Sequence, residues 1–249
     1  MLSEKRVSRP VSKFDRPLLP EPMTYRVVFS KVGNLQFFSH LDLQRTWQRV
    51  LVRASIPMWY TQGFNPHSKI VFGIPLSVGT EGTHEMVDLR IDRAITPDEM
   101  RDQLNAELTD EMQVSAVYIP TTAFSDIAYA TYTVTVSDPS AASVGTDAVE
   151  ALFAPGAAPI LMTKRTKSGD REMDILPLIR EIHAVREADG TLILRATLAA
   201  GGSANLSPEF LVAALREKLG MLTDTEHPDV CWYRILRTGF LCADGSEFR

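Results

Sequence analysis

Cysteine is scarce in this chain, with Cys231 and Cys242 the only two among 249 residues. Two thiols cannot build a disulfide framework or a four-cysteine zinc site, so both are expected to be structural, in a reducing, cytoplasmic setting. No stretch offers about 18 uninterrupted apolar residues, so no membrane-spanning helix and no membrane partner are expected. The first 22 residues carry four prolines and several basic groups but lack the apolar centre of a signal peptide. No P-loop, GxGxxG, GxSxG or HExxH occurs, and the aromatic signature of a standard RNA-recognition motif is missing. No cofactor or metal is expected, and the sequence describes a site better than it describes a reaction.

The chain is 45% hydrophobic, which is ample for globular cores, and its length favours two domains. We expect a flexible basic arm over residues 1–22, a first domain over 23–122 and a second over 123–249. The net charge of −5 argues against a polyanion ligand, but the charge is divided unevenly. Residues 24–74 hold Arg26, Lys31, Arg45, Arg49, Arg53 and Lys69 against Asp42 alone, whereas residues 81–113 hold ten carboxylates against three arginines. Opposite signs are therefore expected on different faces of one domain.

Hydrophobic period and capping residues give the order of elements. Tyr25–Lys31 reads as a strand, and Ser39 as the cap of a helix reaching about Ser55, with Asp42 completing a capping box. Extended pieces follow at 56–61 and 69–74, then a strand at 85–91, a helix capped by Thr96 and a strand at 112–119. The second half repeats the pattern: a strand at 130–136, a helix at 146–153 and a strand at 160–165, then strands at 179–186 and 191–198. A helix capped by Ser207 and a strand at 232–236 close it. The fold class is α+β, expected as tandem ferredoxin-like (βαββαβ) units with antiparallel sheets.

The helix after Ser39 places Leu43, Trp47, Val50, Leu51 and Ala54 on one face and Arg45, Arg49 and Arg53 on the other. Guanidinium forks at one-turn spacing suit phosphate oxygens, although a solvated surface accounts for them too. His40 and Asp42 diverge by about 200° on a helix and chelate poorly. A packed histidine and a capping carboxylate explain them, and a metal shared with His67 would need a non-helical first turn.

In QGFNPHSK, Gly63 permits unusual dihedrals and Pro66 drives Asn65 towards extended geometry, presenting His67, Ser68 and Lys69 as a preset ledge. Phe64 is expected first as a plug into the core and second as a stacking platform for a base. Lys31 and Lys69 read equally as anion ligands and as ordinary surface lysines. The alternation in THEMVDLRI turns Val87, Leu89 and Ile91 inward, on the face shared with Glu85, and Asp88 is expected to pair with a basic residue of the first helix. A basic hairpin at KRTKSGDR places Lys164, Arg165 and Lys167 near a turn that can reach a polyanion.

The segments KVGNLQFFSHLDLQR, QGFNPHSK, FGIPLSVG and THEMVDL within Lys31–Leu89, with KRTKSGDREMDILPLI more weakly at 164–179, closely resemble the radical-SAM-linked protein family. This is a bacterial domain of unknown function found beside or fused to radical SAM proteins. The resemblance implies a radical SAM partner. It also marks Lys31, Ser39, His40, Asp42, Arg45, Gly63, Phe64, Asn65, Pro66, His67, Glu85 and Asp88 as positions of function or shape. The chain lacks the CxxxCxxC that would hold a radical SAM cluster, so it is expected to assist such an enzyme. RNA is the leading substrate class, because tandem ferredoxin-like architecture recurs in RNA-processing proteins.

Three functions follow. The first is an RNA-binding accessory protein, non-catalytic on its own, using the arginine stripe, the His67 to Lys69 ledge and the basic hairpin. The second is a metal-independent ribonuclease in which His40 and His67 serve as base and acid. The third is an adaptor whose oppositely charged segments steer the radical SAM partner.

Overall fold

Inward-facing Val27 and Phe29 on one strand and Val87, Leu89 and Ile91 on the next, all at most 1% exposed, form the centre of the first half of the chain. A computed structural model describes residues 13–166, 169–202 and 204–249. The chain divides into two units, Met1–Thr121 and Thr122–Arg249. Both are mixed α/β with antiparallel pairing between the strands given below.

The first unit runs β1 (Leu18–Lys31), a 3-10 turn (Gly33–Phe37), α1 (His40–Arg53), β2 (Ile70–Phe72), β3 (Thr80–Arg93), α2 (Pro97–Asn105) and β4 (Val114–Tyr118). Its strands lie in the order β4-β1-β3-β2. The apolar face of α1, through Leu43, Trp47, Val50 and Leu51, joins Met100 and Leu104 of α2 in one core with the inward strand residues. Phe29 meets Trp47 edge to face, with ring centroids 4.9 Å apart. Burying each large apolar side chain contributes about 1.5–3 kcal/mol, so this face fixes where α1 lies.

The capping box at Ser39 is present as expected: the Ser39 hydroxyl accepts from the Asp42 N–H, and the Asp42 carboxylate accepts from the Ser39 N–H. The helix closes at Ala54, and Ser55 takes a left-handed φ of 55°. Strand β1 starts seven residues earlier than expected, at Leu18, despite Pro20 and Pro22. Its register against β3 shifts between Leu18 and Met23, which accommodates residues that cannot donate to a ladder. The extended piece at 56–61 is reduced to single bridges, Met58 with Ile91 and Tyr60 with Ser68.

Of the expected N-terminal arm, residues 1–12 lie outside the described residues. From residue 13 the chain belongs to the fold, with a 3-10 turn at Lys13–Asp15. Arg16, 7% exposed, makes a two-pronged bond to Glu99 at 2.6 and 2.9 Å.

The second unit comprises β5 (Ile127–Ser137), α3 (Thr146–Leu152), β6 (Leu161–Thr166), β7 (Gly169–Asp174), β8 (Ile179–Arg186), β9 (Leu192–Ala199), α4 (Glu209–Leu219) and β10 (Trp232–Cys242). Four strands lie in the order β10-β5-β9-β8, while β6 and β7 pair as a separate hairpin. Helix α4 is not capped by Ser207 in the expected way. Pro208 occupies the cap position with no side-chain bond, and the Ser207 hydroxyl reaches only the Glu209 N–H, at 3.4 Å. Among the described residues no helix is long and apolar enough to cross a membrane.

Candidate functional site

A strand that places glutamates in phase with core residues must supply those carboxylates with partners. Glu81 and Glu85 of β3 are both buried, at 1% and 5% exposed. Glu81 accepts the Gly33 N–H at 2.6 Å, and Glu111 accepts the neighbouring Asn34 N–H at 3.0 Å. The Gln36 carbonyl takes two donors, the Lys31 ammonium at 3.2 Å and the Gly79 N–H at 2.9 Å. These contacts fasten the 3-10 turn Gly33–Phe37 from several sides, and the left-handed φ of 60° at Gly33 fits that geometry. Lys31 is therefore no surface anion ligand. At 1% exposed, it serves the turn from inside, because β1 ends beneath that turn.

The fastened turn delivers FFSHLD. Phe37 is 64% exposed, while Phe38, Ser39 and His40 form one wall of a narrow crevice. Phe72 to Leu76 and the pair Glu85 and Met86 supply further walls, and Lys31 also reaches it. Three of the segments singled out in the sequence thus meet in one place. The exposed His40 ring packs edge-on against Phe72, with centroids 5.3 Å apart. His67 does not line this crevice, so the two histidines of the ribonuclease scheme do not share it. Among the described residues no group of three or more His, Cys, Asp or Glu is placed to hold a metal.

The arginine stripe separates into two parts. Arg53 is tied to Glu107 twice, by an ion pair at 2.9 Å and by a bond from its Nη2 to the backbone carbonyl at 2.6 Å. Arg45 and Arg49 are exposed and line a shallow groove with Phe38, Asp42 and Thr46. The nearest approach of Arg45 to Asp42 is 4.0 Å. That carboxylate is held chiefly by the Ser39 hydroxyl and backbone N–H, which keep its pKa below the usual carboxylate range. No residue of the 63–69 loop lines this groove, so the expected single cradle of arginines and loop is not formed there.

The loop itself is sealed from within. Thr61 and His67 face each other through three contacts: Thr61 N–H to the His67 carbonyl at 3.0 Å, His67 N–H to the Thr61 hydroxyl at 3.1 Å, and that hydroxyl to His67 Nδ1 at 3.1 Å, while Nδ1 also lies 3.3 Å from the Asn65 carbonyl. Gly63 adopts a φ of 143°. Everything from Gln62 to His67 is exposed, as is Lys69. Phe64 is not a core plug but fully exposed at the tip, because the Thr61–His67 clasp already anchors the loop.

Asp88 does not pair with the first helix. It makes two bonds to Arg26, directly opposite on β1, at 2.8 and 2.9 Å, with Arg26 completely buried. At the basic hairpin, Lys164 and Arg165 lie on β6, whose partners there are Arg171 and Asp170. Their side chains, and Lys167 altogether, fall outside the described residues. Exposed Asp170 and Glu172 flank Arg171, so the returning strand is mixed in sign.

Sequence reasoning missed Glu81, Glu111 and Gln36 as organisers of the turn, and Arg26 as the partner of Asp88. The usable signal was the spacing of Glu81 and Glu85, in phase with Val87 and Leu89. In the second unit an open cleft beside α3 and β8 is lined by Glu150, Arg180, Glu181 and His183, none of them a sequence candidate.

The family model described as "Uncharacterized protein conserved in bacteria (DUF2344)" matches residues 24–208, and the chain belongs to that family. No curated protein matches the chain. Among solved structures, an unknown protein from Galdieria sulphuraria is 14% identical over 86% of this chain and 96% of its own, with a TM-score of 0.25. A heavy metal efflux pump is 9% identical over 90% of this chain and 28% of its own, with a TM-score of 0.24. A Rhodococcus jostii RHA1 DypB variant in complex with heme is 14% identical over 84% of this chain and 88% of its own, with a TM-score of 0.19.

Proposed function

We propose that this member of the DUF2344 family is a cytoplasmic RNA-binding accessory protein that works with a radical SAM partner in RNA modification or processing. The observation that carries the RNA part is the pair Arg45 and Arg49, exposed one helical turn apart beside Phe38. Two guanidinium groups at that spacing meet successive anionic oxygens, and a half-exposed aromatic beside them suits a base or sugar. The radical SAM partner rests on the sequence resemblance over Lys31–Leu89. Free Cys231 and Cys242 accord with a reducing compartment.

Each unit is further proposed to be ferredoxin-like. The orders β4-β1-β3-β2 and β10-β5-β9-β8, each with two helices interposed in sequence, support that reading. The acidic segment of the first unit gives the adaptor scheme little support. Glu81, Asp88, Glu99, Glu107 and Glu111 all bind groups within their own unit.

The test is RNA binding by the full chain at rising salt, with an Arg45→Ala/Arg49→Ala variant beside it. Binding that weakens with salt and is lost in the variant upholds the proposal, and absence of binding at low salt overturns it.

A further inference from the structure

We infer that the RNA recognised by this protein is unpaired, and that Phe64 receives an unstacked base. This rests on the RNA-binding reading and names the form of RNA that the loop accepts.

Three observations lead there. Phe64 is fully exposed, and it sits on a loop whose ends are clasped by the Thr61–His67 contacts, so its ring is held out in water by a preset backbone. An aromatic ring left in water gains by finding a flat apolar face, and little ordering entropy remains for the loop to lose. The neighbours on the same hairpin are those a nucleotide uses: exposed Tyr60, Asn65, His67 and Lys69. Asn65 offers amide donors and acceptors to a base edge, and Lys69 a charge for phosphate. The base of the hairpin is braced, with Arg90 over the Trp59 ring at 5.2 Å and backbone bonds linking Trp59, Lys69 and Arg90.

Duplex RNA cannot use this arrangement. In an A-form helix the base faces are stacked inside, the major groove is deep and narrow, and the minor groove shows only edges and hydroxyls. A single phenylalanine at a loop tip finds no ring face there. In a single strand, bulge or loop, the bases are free to leave the stack and lie on it.

The experiment is fluorescence anisotropy of the full chain with a 12-nucleotide RNA of mixed sequence and with its perfect duplex, at one low salt concentration. Wild type is expected to bind the single strand at least about 10-fold more tightly than the duplex. Phe64→Ala is expected to weaken single-strand binding by about 5- to 150-fold, the range for one stacked base, and Phe64→Trp to retain it. Because Phe64 touches no core, these variants fold as the wild type does. Equal affinity for both forms, or a Phe64→Ala variant that binds the single strand as wild type does, overturns the inference. If that happens while Arg45→Ala/Arg49→Ala loses RNA, the RNA-binding reading survives without it. No RNA binding by wild type in either form removes both.

Discussion

The carboxylate of Glu85 lies against Gly82, so close that a methyl group at position 82 would fall on the place it occupies. Both residues are buried, and Lys31 pairs with Gly82 across the ladder. A glutamate can therefore fold back along its own strand only because residue 82 has no side chain. Gly82→Ala is expected to destabilise the first unit by about 1–3 kcal/mol, the usual cost of overpacking. Thermal or urea unfolding measures it. In a Glu85→Ala background the same change should cost much less, since the colliding atoms are gone, and additive costs would show that the contact does not govern the site.

Arg26 and Asp88 set a larger effect on the opposite face of the sheet. Removing one member of a buried, doubly bonded pair leaves a charge in a poorly solvated place, at a cost of about 3–5 kcal/mol. Asp88→Ala should approach that loss in denaturant unfolding. A loss under about 1 kcal/mol would mean that the pair behaves as a surface ion pair.

Asp138 supplies a pH dependence for the second unit. Burial pushes its carboxyl up, but bonds from the Ser140 hydroxyl and from the N–H groups of Leu222, Ala141 and Ser140 outweigh that, and the net pKa is lowered. A depressed folded value means that the ionised group stabilises the fold. That stabilisation is fully present above the unfolded value of about 3.9 and is lost as pH falls through the lower folded value. Unfolding free energy should hold steady near neutrality and fall below about pH 4. Asp138→Asn should flatten its share of that decline, and an unchanged acid limb would contradict the assignment.

What the sequence discloses here is what short-range chemistry decides. The start of α1 is legible because Ser39 and Asp42 satisfy each other within one turn. The inward face of β3 is legible because strand alternation is local. Asp88 is mispaired by sequence reasoning because Arg26 stands 62 positions away, and only strand register brings them opposite. Lys31 reads as a surface cation because nothing nearby in sequence shows that a turn closes over it. Phe64 reads as a plug because the Thr61–His67 clasp, which makes a plug unnecessary, is a matter of backbone geometry.

Arg53 separates a phosphate surface from a merely basic helix. Its charge is already engaged by Glu107, in the ion pair and in the bond to the backbone carbonyl. Arg53→Ala should cost at most about 1 kcal/mol of stability, as half-exposed pairs do, and should leave RNA affinity within about 2-fold of wild type. A loss of affinity equal to that of the other arginines would mean that the stripe acts as a diffuse field.

The most direct test is the slope of log K against log salt for a single-stranded RNA, compared between wild type and Arg45→Ala/Arg49→Ala. Each phosphate contact contributes about 0.7 to that slope in single strands, so the account predicts a reduction of about 1.4 together with weaker binding at low salt. An unchanged slope and affinity would show that these two exposed guanidinium groups touch no phosphate, and would contradict the proposal that this face binds RNA.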